Sequence, residues 1–96
     1  MNIDLSKSNY EFLFKAVLAL ETMEECAAFF EDLCTVQEMK ALSQRIAVAK
    51  MLKDNHVYSK IVKETGASTA TISRVNRSLR YGCNGYDKIF ERISGK

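Results

Sequence analysis

The sequence predicts an all-α protein on three observations. It contains no proline, it has only four glycines, and Ser, Thr, Asp or Asn residues stand where apolar periodic runs begin. Its 96 residues, 47% hydrophobic and 27% charged, fit one globular domain, too apolar to stay disordered and too short for a second core.

Three Ser/Thr-x-x-Glu pairs mark helix starts: Ser8 with Glu11, Thr22 with Glu25, and Thr35 with Glu38. In each, the hydroxyl accepts an unpaired N–H of the first turn while the carboxylate reaches back to another. The first helix, expected over about 9–20, is apolar nearly all round from Tyr10 onward, interrupted only by Glu11 and Lys15. A surface helix of a monomer keeps a polar face, so this one is expected to lie between its own domain and a partner subunit. The second, about 23–33, places Met23, Ala27, Phe30 and Leu33 at helical spacing among acidic residues. The third, about 36–53, carries a stripe of Met39, Leu42, Ile46, Ala49 and Leu52 that reads as facing the core. Two short segments follow around Gly66. A final helix near 86–93 is expected after Gly82 and the turn signal Asn84-Gly85.

Cys26, Cys34 and Cys83 are an odd number without a CxxC pair, which reads as reduced thiols used in packing. Their spacing from one another and from His56 is unlike that of structural zinc ligands, so no metal is expected. No run approaches the roughly 18 apolar residues of a membrane span. The opening Met1-Asn2-Ile3-Asp4-Leu5 lacks a basic region followed by an apolar one, so a cytoplasmic protein is expected.

The net charge of +2 conceals a division: residues 1–44 carry net −5 and residues 45–96 net +7. A basic half on an acidic half suits one face for a polyanion and another for protein contact, although an ordinary solvated surface also has this look.

Function concentrates in Tyr58–Arg77, YSKIVKETGASTATISRVNR. A helix-turn-helix needs a short helix, a turn through a left-handed residue, and a second helix crossing the first. Gly66 supplies the turn, since glycine enters that region without a Cβ penalty. Ile61, Val62, Ala67, Ile72 and Val75 are expected on the inner faces, with Val62 at the close approach of the two helices. Ser68 or Thr69 can cap the second helix. Its outward positions, Ser68, Thr69, Ala70, Ser73, Arg74 and Arg77, suit the major groove: small and hydroxyl groups permit close approach, and arginine reaches guanine acceptors or phosphate. Lys60, Lys63 and Arg80 stand where the DNA backbone should pass. The bland alternative is a helical hairpin with merely exposed polar groups.

The run Gly66-Ala67-Ser68-Thr69-Ala70-Thr71-Ile72-Ser73-Arg74 with Ser78-Leu79, and upstream Ala41-Leu42-Ser43-Gln44-Arg45-Ile46, resembles the Trp repressor family over about residues 30–80. The resemblance implies six helices per chain and a homodimer with interlocked N-terminal helices. The expected organisation is residues 1–34 as dimerisation helices, 35–80 as central helix and helix-turn-helix, and 81–96 as C-terminal turn and helix. The resemblance also implies an effector site, in which two arginines enclose an indole and a serine holds the amino acid's polar end. Arg45, Arg74 and Ser78 match those positions, with phosphate contact or a salt bridge as the alternative use of the arginines. After Arg74 the tryptophan-binding members have glycine, whereas this chain has Val75, so tryptophan is not expected to bind. A smaller effector, or none, is.

The expected function is a sequence-specific transcription regulator, a repressor that binds palindromic double-stranded DNA as a dimer. The alternative is a protein-interaction module built from the helix pair and the acidic half. An enzyme is not expected: His56 is the single histidine, and the chain has no phosphate-cradling glycine loop, HExxH or nucleophile elbow.

Overall fold

The computed structural model describes residues 3–6 and 9–95. The described residues form six α-helices and no strand: α1 Tyr10–Leu18, α2 Met23–Leu33, α3 Val36–Lys53, α4 Tyr58–Thr65, α5 Thr69–Tyr81 and α6 Gly85–Ile93. They divide into two compact units, residues 1–36 and 37–96. No helix among them is long and apolar enough to cross a membrane.

In the first unit, α1 is shorter than the sequence suggests. Past Leu18 the Ala19 amide is shared between the carbonyls of Lys15 and Ala16, and the Leu20 amide bonds to the Val17 carbonyl, three residues back, so the last turn tightens and the helix ends. Ser8 of the first capping pair lies outside the described residues; Asn9, directly before α1, makes no side-chain cap. The second pair forms with a shift. Thr22 Oγ1 accepts the Glu25 amide (3.0 Å), but Glu25 Oε1 accepts from the amide of Glu21 (2.9 Å), one residue before the cap itself. Neither α1 nor α2 contains a buried residue. Phe12 is 75% exposed, Leu18 84% and Met23 81%.

The second unit has a small core of Val48, Ala49, Ile61, Ala67, Ile72 and Val75, with Met51, Leu52, Leu79, Tyr86 and Phe90 half-buried around it. Full burial of an Ile or Val stabilises by about 1.5–3 kcal/mol, so Val48, Ile61 and Ile72 hold α3, α4 and α5 together. Two inward expectations are corrected. On α3 the buried residues are Val48 and Ala49, while Leu42 and Ile46 stay 43% and 44% exposed. The apolar side chains of α3 are spread around its axis, and only its C-terminal turns meet α4 and α5 in this core. On α4, Ile61 fills the close approach expected of Val62, which turns outward and is 37% exposed. Adjacent residues differ by about 100° around a helix, so one of the two must face away.

Gly82 ends α5. Its N–H donates to the Ser78 carbonyl at 2.9 Å, and a Cβ at this position would collide with that same carbonyl oxygen. The chain then turns through Asn84 at φ 62°, a left-handed conformation that asparagine tolerates better than most residues, into α6.

Candidate nucleic-acid interface

The geometry of the helix-turn-helix is set by a series of local hydrogen bonds around Gly66. Its φ of 73° is left-handed, and its amide closes α4 on the Val62 carbonyl at 2.9 Å. Thr65 braces the turn from one side: its hydroxyl donates to the Ile61 carbonyl (2.7 Å) and accepts the Ala67 amide (3.1 Å). Gln44 braces it from α3, where Nε2 donates to the Thr65 carbonyl at 3.2 Å. Ala67 is then buried, and Ser68 caps α5, accepting the Thr71 amide (3.1 Å) and donating to Thr71 Oγ1 (3.1 Å).

Burial of Ile72 and Val75 fixes which side of α5 faces out. Thr69, Ala70, Ser73, Arg74 and Arg77 are all exposed; Ala70, Ser73, Arg74 and Arg77 follow the three- and four-residue spacing of one helical face. Ser68 is also exposed, but its hydroxyl is engaged in the cap, so it positions the helix more than it offers a free polar group. Arg80 is exposed near the C-terminal end of α5. On α4, Lys60 and Lys63 line a shallow open depression with Ser59 and Glu64. Lys60 lies 3.8 Å from Glu64, an exposed i,i+4 pair that partly offsets its charge.

The three residues matched to an effector site do come together. Arg45 from α3 and Arg74 and Ser78 from α5 line a cleft of about 370 Å³ with Ala41, Gln44, Thr71, Val75 and Tyr86. Arg74 therefore stands at the border between the outward face of α5 and this cleft. Val75 belongs both to the cleft lining and to the core, with 3% of its surface exposed. Its branched side chain is held among core neighbours, with few rotamers open to it, beside Arg74 where the cleft meets the α5 backbone. Sequence reasoning missed Gln44, Thr71 and Tyr86 here. Gln44 and Thr71 sit beside recognised residues and carried a signal in their helical spacing, whereas Tyr86 arrives from α6 with none. Cys26 and Cys34 are half-buried and Cys83 is exposed, all as free thiols.

The Trp repressor protein family matches residues 8–94. The uncharacterised protein YerC of Bacillus subtilis (strain 168) is 49% identical over 94 residues, covering 97% of this chain and 90% of its own. A crystal structure of a TrpR-like protein from Eubacterium eligens superposes with a TM-score of 0.90 at 54% identity, over 94% of this chain and 93% of that one. A crystal structure of a candidate Trp repressor from Staphylococcus aureus superposes with a TM-score of 0.92 at 50% identity, over 98% and 95%. With its left-handed Gly66 turn and exposed α5 face, the chain belongs to the Trp repressor family, a DNA-binding, transcription-regulating helix-turn-helix family rather than a family of enzymes.

Proposed function

We propose that this protein is a transcriptional repressor that binds a palindromic operator as a homodimer and reads it with α5. The observation that carries the reading is the exposed face of α5, with Thr69, Ala70, Ser73, Arg74 and Arg77 presented over a buried Ile72 and Val75. Small and hydroxyl side chains admit the helix to the major groove, and the arginines reach guanine or phosphate. Lys60, Lys63 and Arg80 hold the backbone on either side. Repression is the simplest output of such a domain, which acts by occupying promoter DNA.

Dimerisation is supported by α1 and α2, which bury no residue of their own and leave Phe12, Leu18 and Met23 largely exposed. Apolar surface on that scale belongs against another subunit. Residues 1–34 serve that contact, 35–80 serve DNA, and 81–96 complete the second unit with α6. In a two-fold dimer the reading helices stand about one DNA turn apart, roughly 34 Å, a geometry for which the Trp repressor is itself a type case. Any effector of the Arg45, Arg74 and Ser78 cleft is smaller than tryptophan.

Selection of bound DNA from a random pool, with and without added amino acids, tests the reading. A dyad-symmetric site whose affinity falls steeply with salt, by about 0.9 log units per log unit of salt for each phosphate contacted, is the expected result. Recovery of no preferred sequence, or of sites without dyad symmetry, would overturn it. Retention of a protein partner, indifferent to salt, would favour an interaction module.

A further inference from the structure

The side chain of Gln44, on α3, reaches from the cleft to the turn of the helix-turn-helix. Gln44 lines the cleft with Arg45, Arg74 and Ser78, and its amide nitrogen donates to the carbonyl of Thr65, 21 residues away in sequence. That carbonyl closes the C-terminal end of α4, where a helix leaves its last acceptors without intrahelical partners and its dipole favours a donor. Thr65 in turn accepts the Ala67 amide on its hydroxyl, one residue before the Ser68 cap of α5. A short series of bonds thus runs from α3 to the first turn of the reading helix. A ligand spanning α3 and α5 in the cleft would join those two helices directly; the chain's own carboxamide instead ties α3 to the end of α4, at the turn that leads into α5.

We propose that Gln44 is a positioning residue for DNA binding: from α3 it clamps the left-handed turn through the Thr65 carbonyl, and so sets the reading helix without a ligand in the cleft. The inference rests on the DNA-binding function proposed above. The clamp is neutral, partly buried and made by a side chain with three rotatable bonds. Its loss should therefore loosen the turn without unfolding α3.

The test compares the full chain with Gln44→Met, which keeps the length of the side chain and removes the donor, and with Gln44→Glu. Amide hydrogen exchange is followed in the free proteins, and affinity for the selected DNA site is measured in effector-free buffer. In Gln44→Met, exchange at Gly66 and Ala67 should accelerate roughly 2- to 12-fold, the range set by one net hydrogen bond. Exchange at Val48 and Ala49 should not change, and DNA affinity should fall by a similar factor. In Gln44→Glu the carboxylate faces a carbonyl and should loosen the turn at neutral pH. Relative to the wild type at each pH, protection should return as the pH falls through the ordinary glutamate range near 4.3, because the protonated acid donates again.

Unchanged exchange at the turn in Gln44→Met would overturn the clamp. Equal acceleration throughout α3 to α6 would reduce Gln44 to a general stabiliser, and a wild type that binds its site only with an added effector would overturn the claim of independence. Should the wild type bind no DNA at all, the proposed function fails, and the exchange experiment alone then decides whether Gln44 holds the turn.

Discussion

The ammonium of Lys53 lies 2.8 Å from Oδ1 of Asp87, tying the last turn of α3 to the first turn of α6. Oδ1 is out of contact with solvent and meets the ammonium as an ion pair rather than along a hydrogen-bonding direction. The carboxylate also complements the dipole at the start of α6. Both side chains are more than a third exposed, so solvent screens the pair and its worth is at most about 1 kcal/mol. Asp87→Asn and Lys53→Ala should each lower stability by about 0.5–1 kcal/mol in urea unfolding. The double variant should lose less than the two combined, and strict additivity would show that the pair does not interact.

Substitution of Gly66 separates conformation from crowding. A Cβ there would meet nothing closer than Gln44 Nε2 at 4.0 Å, so the cost lies in φ alone. Gly66→Asn should be the mildest change, Gly66→Ala should cost about 1–2 kcal/mol, and Gly66→Val more, since β-branching is least compatible with positive φ. Thermal melts rank the series, and DNA affinity should follow the same order. Equal stability of all three would refute a strained left-handed turn.

Base readers and backbone contacts should part company under salt. Thr69→Ala and Ser73→Ala should relax preference at particular base pairs and leave the salt slope alone, whereas Lys63→Ala should weaken all sequences alike and flatten the slope by about 0.9. Lys60→Ala should do less, because Glu64 already offsets its charge. Glu64→Gln should strengthen binding to every sequence. Filter-binding titrations from low to high salt distinguish these outcomes; a lysine variant with altered sequence preference would contradict the division.

Tryptophan should leave DNA affinity unchanged. Overpacking a filled site costs about 1–3 kcal/mol, which weakens binding roughly 5- to 150-fold. Val75→Gly should admit the indole between Arg45 and Arg74, but it also removes a core side chain. Calorimetry on that variant is therefore best done in the cold, well below its lowered melting temperature. Micromolar binding by the wild type would refute the steric argument.

Light scattering at micromolar concentration should report a dimer, and Phe12→Glu or Leu18→Glu should shift it toward monomer by placing a charge on exposed apolar surface of α1. A folded wild-type monomer across that range would count against interlocked subunits.

Local chemistry made much of this legible in advance. The Thr22 cap, the left-handed Gly66 and the Ser68 cap each depend on residues within four positions of one another, and all three occur. What required the third dimension was less accessible. Periodicity locates apolar stripes on α3 without saying which one α4 and α5 cover, so it points to Leu42 and Ile46 where the core takes Val48. The neighbours Ile61 and Val62 are alike in chemistry, and only the crossing of α4 with α5 decides between them. Tyr86 in the cleft and the Lys53–Asp87 pair depend on where α6 returns, which no local signal records.

The way α5 is anchored has a practical consequence. Its start is fixed by the Ser68 cap, its inner side by Ile72 and Val75, and its end by Gly82, where any larger residue would strike the Ser78 carbonyl. None of these anchors lies among Thr69, Ala70, Ser73 and Arg77. The outward face is therefore a cassette: those four residues can be exchanged for a relative's while every group that seats the helix stays in place. Under the proposed function, retargeting this protein to a new operator would be a matter of transplanting four side chains rather than rebuilding a fold.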